Sequence, residues 1–132
     1  MNLYHIFQIT LDDATVDLIN SEGWTSSNRA SAYSRATVFG DPTDGLKHDC
    51  YDKVAEVLGD SLDDVFRIGN IGPEHPDEDI TVGNDGMRSI SVGDIIADDH
   101  GSRWVVATFG FTPITAFTAN QMHQAQDRYH SA

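Results

Sequence analysis

Residues 92–109 read VGDIIADDHGSRWVVATF. Two runs rich in apolar and β-branched residues flank the polar residues DDHG at 98–101, and this pattern predicts a β-hairpin with a four-residue turn. Trp104, in the second run, is expected to face the core. After the hairpin, Gly110 permits a bend, and Pro113 is expected to close the strand because proline has no N–H to donate to a neighbouring strand.

A second strand is predicted by residues 4–11, YHIFQITL, in which side chains alternate and apolar groups occur on both faces. Residues 51–58, YDKVAEVL, fit both the period of a helix and that of a strand, and we assign a strand near 51–57. A short β pairing is also expected at 80–82, inside an otherwise irregular surface loop over 70–88. These segments together predict a small, mostly antiparallel sheet.

Helix signals lie between the strand signals. Asp12 is placed to cap a helix that runs to about Asn20, turns Val16 and Ile19 inward and stops at Gly23. The other predicted helices run from Ser27 or Asn28 to about residue 39, over LDDVFRIG at 62–69 with Ser61 as its cap, and at about 118–130. In the LDDVFRIG helix, the side chains expected to face inward are Leu62, Val65, Phe66 and Ile68.

Between these helices, the glycines and proline of GDPTDG at 40–45 predict a surface loop. The predicted fold class is therefore α+β: a small, mostly antiparallel sheet with three or four short helices packed on it. A length of 132 residues suits a single domain spanning 1–132.

The composition is strongly acidic. Eight basic and 21 acidic residues give a formal net charge of −13, and 17 of the acids are Asp. Because Asp has a lower helix propensity than Glu, this excess is expected in turns, caps and loops. Two explanations stay open: a genome whose codons favour Asp and Arg, and selection for a negative surface that grips a basic partner or mimics nucleic acid. Direct binding to nucleic acid is not expected at this charge.

Several classes of protein are not indicated. No apolar run approaches the roughly 20 residues of a membrane span, so we predict a protein of the cytosol that does not bind membranes. The glycines of GNIGP and GNDG lack the spacing of phosphate-binding loops. Cys50 cannot form an intrachain disulfide. The nearby imidazolium of His48 would lower the pKa of its thiol, whereas the carboxylates of Asp49 and Asp52 would raise it, so a reactive thiol is not indicated.

Candidate metal ligands occur in two segments. EHPDED at 74–79 offers His75, Asp77 and Asp79, and the last predicted helix offers His123, Asp127 and His130. Neither set has the spacing of a zinc protease motif or of a calcium-binding EF-hand loop. We therefore predict no metal site, no cofactor and no catalytic residues.

Three segments together resemble a known group of proteins. SLDDVFRIGN at 61–70 is followed, after a loop, by RSISVGDIIADDHGSRWVVATFGFTPI at 88–114. With the opening strand, these segments resemble the YodL-like domain group and related small proteins of actinobacterial phages and conjugative elements, within about residues 3–115. The resemblance implies a phage or mobile-element origin and a non-enzymatic role, and it carries no catalytic residues to transfer.

The most specific part of this resemblance is residues 88–114. Ser91 or Asp94 is expected to hydrogen-bond the local backbone at a tight turn, and Gly93 allows a positive φ where the strand begins. We interpret this motif as structural rather than as a binding site.

The leading functional hypothesis is a small acidic protein that binds a host protein with a basic surface and modulates or inhibits it. The candidate contact residues are exposed acids of two loops and one aromatic anchor: Trp24, Glu74, Asp77, Glu78, Asp79, Asp98 and Asp99. One alternative is a nucleic-acid mimic acting against a host nuclease or a restriction or CRISPR defence, which requires carboxylates arrayed on one face. Another is an enzyme with an unrecognised site, which requires convergent polar groups in a cleft.

Overall fold

The computed structural model describes residues 1–115 and Gln121. Within this part of the chain there are six strands and four helices. The strands are β1 (Asn2–Ile9), β2 (Tyr51–Gly59), β3 (Asp79–Val82), β4 (Ile95–Asp98), β5 (Arg103–Val106) and β6 (Phe111–Pro113). The helices are α1 (Asp13–Glu22), α2 (Asn28–Phe39), α3 (Thr43–Lys47) and α4 (Leu62–Ile71).

All six strands join one antiparallel sheet in the order β3-β2-β1-β4-β5-β6. The central strand β1 places Ile6 opposite Ala55 of β2 on one side and opposite Ile96 of β4 on the other. This arrangement confirms the predicted α+β class and the antiparallel sheet. It also confirms the strand assigned near 51–57 and the short pairing at 80–82.

Helices cover both faces of the sheet, and we call these the α2 face and the α4 face. The α2 face buries Phe7, Ile9, Ala32, Ala36, Leu46, Cys50, Tyr51, Ile95 and Ala97. The α4 face buries Tyr4, Ile6, Val54, Ala55, Val57, Val65, Ile68, Ile90, Ile96 and Val106. Helix α4 packs on β2 and β3, yet its Phe66 meets Phe111 of β6 edge to face, with ring centroids 6.4 Å apart. Helix α4 therefore contacts both outer strands of the sheet, β3 and β6.

Three helices begin at the caps that the sequence predicts. Each cap side chain accepts a backbone N–H three residues on: Asp12 from Thr15 at 2.8 Å, Ser27 from Ala30 at 3.1 Å and Ser61 from Asp64 at 3.2 Å. These bonds satisfy N–H groups that have no partner within the first helical turn. Gly23 ends α1, as predicted.

The surface loop predicted at 40–45 is confirmed over 40–42 and wrong over 43–45, because Thr43–Lys47 forms the short helix α3. Asp41 holds its start by accepting the backbone N–H and the hydroxyl of the first helical residue, at 3.0 and 2.6 Å. Gly45 is buried beneath Tyr51, and a Cβ there would lie 2.6 Å from the ring. Gly45, which suggested a turn, instead leaves room for the ring of Tyr51.

The inward face predicted for α1 is also wrong. Val16 is 39% exposed, Ile19 is only partly buried, and no residue of α1 is fully buried. Helix α1 packs mainly along α2. Its apolar side chains therefore have a helix beside them and solvent on the other side.

Helix α4 differs from its prediction in length and in one side chain. Val65 and Ile68 are buried as expected, but Phe66 is 37% exposed. The helix continues past Gly69 to Ile71. A Cβ on Gly69 would lie 2.2 Å from the side chain of Ile90. Gly69 thus allows close packing and does not end the helix.

The predicted hairpin is confirmed with shorter strands, β4 and β5. Asp98 closes the turn by accepting two backbone N–H groups of the turn, both at 2.9 Å. Trp104 is half-buried and packs against the α4-face core. Phe109, expected to extend the second strand, is 94% exposed because the chain bends at Gly110, with φ of 78°, and returns as β6.

The C-terminal helix predicted at about 118–130 lies outside the described residues, apart from Gln121. The side-chain Nε2 of Gln121 donates to the carbonyl oxygen of Leu46 in α3 at 2.6 Å. None of the helices formed by residues 1–115 is long and apolar enough to cross a membrane.

Candidate functional site

The two predicted acidic loops lie at one end of the sheet. β3 begins at Asp79 opposite the last residues of β2, and β4 ends at Asp98 opposite the start of β1. Three strand spacings of about 4.8 Å separate β3 from β4, roughly 14 Å in all. Asp60, between β2 and α4, and Asp63, in the first turn of α4, belong to the same end. We call this set the acidic end, and it comprises Asp60, Asp63, Asp77, Asp79, Asp98 and Asp99.

Asp77 and Asp79 are accessible members of the acidic end. Both are exposed, and neither carboxylate has a hydrogen bond or ion pair among the described residues. Asp60, by comparison, lies 3.5 Å from the N-terminal ammonium group. The carboxylates of Asp77 and Asp79 are therefore open to cations of a partner.

The prediction that Glu78 is an exposed contact residue is wrong, because its side chain is 2% exposed. Its carboxylate pairs with the guanidinium of Arg67 in α4 and accepts the backbone N–H groups of Glu74 and His75 at 3.0 and 3.2 Å. Arg67, with these N–H groups, lowers the pKa of Glu78 to about 2. Glu78 therefore fixes the loop between α4 and β3, while Glu74, 3.7 Å from Arg67, stays exposed.

Asp98 and Asp99 combine negative charge with a structural role. Asp98 closes the hairpin turn, as described above. The carboxylate of Asp99 lies 2.6 Å from Nε2 of His5, which is buried on β1, yet the Asp99 side chain remains 57% exposed. Both acids are thus held in place at the acidic end by the fold itself.

Trp24 lies at the opposite end of the sheet. It precedes α2, whose Arg29 donates to the carbonyl oxygens of Thr10 and Cys50, next to the end of β1 and the start of β2. The indole is 46% exposed and stacks on Tyr33, with ring centroids 5.8 Å apart and planes 5° from parallel. The structure therefore does not bring Trp24 together with the acidic residues.

A buried polar cluster around Asp94 was only partly predicted. The Asp94 side chain is 1% exposed and accepts the backbone N–H of Ser91 at 2.9 Å, as expected for the turn, and Gly93 has φ of 90°. It also accepts Gln8 Nε2 at 3.0 Å and both terminal nitrogens of Arg88, at 2.8 and 3.1 Å. Burial raises the pKa of Asp94, and the Arg88 guanidinium opposes that rise.

The sequence did carry a signal for this cluster. Gln8 is a polar residue among the apolar side chains of a central strand, and a buried amide requires hydrogen-bond partners. The guanidinium of Arg88 also lies 5.5 Å from the ring centroid of Tyr33, which ties α2 to the loop before β4. These contacts support the structural interpretation of the motif at 88–94.

A cavity of about 460 Å³ lies between β1, β2 and the loop that follows β3, away from the acidic end. Its walls include the carboxylates of Asp12 and Asp52. Asp12 caps α1, and Asp52 accepts the hydroxyl of Thr10 at 2.8 Å. These two carboxylates therefore serve the fold. Among residues 1–115 and 121, no three His, Cys, Asp or Glu side chains are grouped so that they could hold a metal ion.

No family model, curated protein or solved structure matches this chain. The resemblance to the YodL-like group therefore stays a prediction, as does the phage or mobile-element origin that it implies. What the structure adds is the position of each candidate residue. Four of the predicted acids, Asp77, Asp79, Asp98 and Asp99, lie at one end of the sheet, with Asp60 and Asp63, which were not predicted, beside them. Glu74 lies near Arg67, Glu78 is buried, and Trp24 lies at the other end.

Proposed function

We propose that this chain is a non-enzymatic binding protein that docks on a basic surface of another protein through its acidic end. The observation that carries this proposal is that two loops distant in sequence lie at one end of the sheet. The loop that contains Asp77 and the turn that contains Asp99 lie at the same end of the sheet, on either side of the β2–α4 connection.

The charge of the whole chain supports the same proposal. With a formal net charge of −13, the protein attracts basic surfaces from a distance and so speeds encounter with them. At the acidic end two of the cations are engaged by carboxylates: the N-terminal ammonium lies beside Asp60, and Arg67 pairs with Asp64 and Glu78.

The resemblance of residues 88–114 to proteins of phages and conjugative elements supports a host protein of the cytosol as the partner. Binding would then modulate or inhibit that host protein.

The nucleic-acid mimic is less well supported, since acids occur at both ends of the sheet. Asp12, Asp52 and Asp85 lie at the end opposite to Asp77 and Asp79. Several acids close turns or begin helices, as Asp12 and Asp98 do, which is what the turn preference of Asp produces without selection for mimicry. A mimic needs one continuous strip of carboxylates.

The experiment is affinity capture from host lysate at low salt, with proteins quantified by mass spectrometry. The test variant is Asp77→Asn/Asp79→Asn. The matched control is Asp17→Asn/Glu22→Gln, which changes two exposed acids of α1 and gives the same net charge. Capture of the partner should fall severalfold with the test variant and stay near wild type with the control. Equal capture by the two variants would refute docking through the acidic end.

A further inference from the structure

The sheet has two outer strands among the described residues, β3 and β6. The residues on either side of β6 are bonded to β5 and to the residue after it: Gly110 accepts the backbone N–H of Ala107, and Ile114 donates to the carbonyl oxygen of Arg103. Because bonding alternates, the backbone groups of Phe111 and Pro113 point outward. Proline has no N–H, which leaves Phe111 as the one outward donor of this three-residue strand. β6 is therefore a poor edge for an added strand.

β3 presents a better edge. Gly83 donates to the carbonyl oxygen of Val54 at 2.9 Å, which fixes which residues of β3 face β2. Hydrogen bonding alternates along an antiparallel pair, so the backbone N–H and C=O groups of Thr81 and Asp79 also point towards β2. The backbone N–H and C=O groups of Ile80 and Val82 point outward, away from the sheet. These outward groups have no backbone partner among the described residues.

The side chains of β3 define the chemistry of this edge. Ile80 and Val82 lie on the α4 face, where Ile80 packs against the core and Val82 is 43% exposed. Asp79 and Thr81 lie on the α2 face, and both are exposed. A strand laid alongside β3 would thus meet apolar side chains on one face and a carboxylate and a hydroxyl on the other.

We propose that β3 accepts an extended segment of the partner as a seventh strand, and that this segment alternates basic residues with β-branched ones. Strand addition to an open edge takes affinity from backbone hydrogen bonds and specificity from alternate side chains. The basic residues would lie beside Asp79, near Asp77, and the β-branched residues beside Ile80 and Val82. This inference rests on the proposed function for the sign of the partner's charge.

A second copy of the chain is the competing occupant of this edge. Pairing of two β3 strands would bring the exposed acids of both copies together, on molecules that each carry a charge of −13. Like charges placed side by side across a strand pair are destabilising. The charge of β3 therefore favours a basic segment over self-association.

The test uses acetyl-(Lys-Val)₃-amide as the probe, titrated calorimetrically. A control probe is the same peptide N-methylated at every amide, which keeps the charge and loses the donors. The unmodified protein should bind the first probe about tenfold more tightly than the second, the equivalent of about one to two hydrogen bonds. Val82→Pro removes one outward N–H at the strand end and should weaken binding of the first probe by a similar factor. Amide exchange at Ile80 and Val82 should slow in the complex.

The outcomes separate this inference from the proposed function. If both probes bind equally, and Asp77→Asn/Asp79→Asn weakens their binding but Val82→Pro does not, strand addition is overturned. Docking by charge would then remain intact. Failure of the first probe to bind would also overturn strand addition, while lysate capture would still decide the proposed function. If the protein self-associates without a probe, and Val82→Pro abolishes this self-association, the edge binds a second copy instead. The comparison of the two probes uses the unmodified protein, so its result does not depend on whether any variant folds.

Discussion

Removal of the buried carboxylate of Asp94 is expected to destabilise the fold strongly. Asp94→Ala deletes the acceptor for both terminal nitrogens of Arg88, for the amide of Gln8 and for the backbone N–H of Ser91. Breaking a buried ion pair by removing one partner costs about 3–5 kcal/mol. Because Arg88 is 32% exposed and can recover water, we expect the lower end of that range, about 3 kcal/mol.

Urea unfolding followed by circular dichroism measures this loss. With a slope of about 1.5 kcal/mol per molar urea, the midpoint should fall by about 2 M. Asp94→Asn keeps the volume and one acceptor, so it should cost about half as much. Asp85→Ala, an exposed acid of the preceding loop, should stay within about 0.5 kcal/mol of wild type.

A double-mutant cycle with Arg88→Ala isolates the pair itself. The cost of the double variant should be smaller than the sum of the two single costs by about 1–3 kcal/mol. An Asp94→Ala variant within 1 kcal/mol of wild type, or additive costs in the cycle, would refute the role assigned to this cluster.

Three further predictions concern the loop before β3, the turn before β4 and the net charge. Since the pKa of Glu78 is about 2 in the fold against 4.5 ordinarily, its contribution to stability is present above pH 4.5 and is lost as the pH falls towards 2. Glu78→Gln should therefore flatten the decline of the urea midpoint between pH 5 and pH 2, and an unchanged slope would contradict this. Gly93→Ala should cost at least about 2 kcal/mol in urea unfolding, because φ is 90° and a Cβ would lie 2.3 Å from the carbonyl oxygen of Ala36. Gly86→Ala, with φ of 75° and open space around it, should cost about 1 kcal/mol, and equal losses would refute the close contact. Moderate salt should raise Tm by about 2 °C because it screens repulsion among the carboxylates, and a fall in Tm would refute that repulsion.

The sheet was predictable because its strands carry a local pattern. Alternation over 4–11 and the two runs around DDHG depend only on neighbouring residues. The strand at 51–57 needed a choice between two periods, and pairing with β1 along its whole length settles it. Capping residues were predictable for the same reason, since each cap bonds an N–H three residues away.

The errors involve contacts between different elements of the fold. Glu78 looks like its exposed neighbours Asp77 and Asp79, and its pairing with Arg67 of α4 distinguishes it. Gly45 and Gly69 were interpreted as turn or stop signals, whereas side chains from outside their own helices pack against them. A single sequence does not show which glycine lies beneath a large side chain.

The candidate site was predictable in composition but not in arrangement. The two acidic loops were identified from their residues, yet their common end depends on the strand order β3-β2-β1-β4. Trp24 was named with them, although it lies at the other end of the sheet, stacked on Tyr33. Strand order is a global property, and no local pattern in this chain reveals it.

The most direct test of the central claim is the association rate of the captured partner, measured by stopped-flow mixing over a range of salt concentrations. Asp77→Asn/Asp79→Asn should slow association severalfold at low salt and weaken its salt dependence, with a smaller effect on dissociation, as charges that steer encounter do. Asp17→Asn/Glu22→Gln, with the same net charge, should retain a rate near wild type. If the two variants share one rate and one salt dependence, the acidic end has no special role and the Asp excess reflects composition alone.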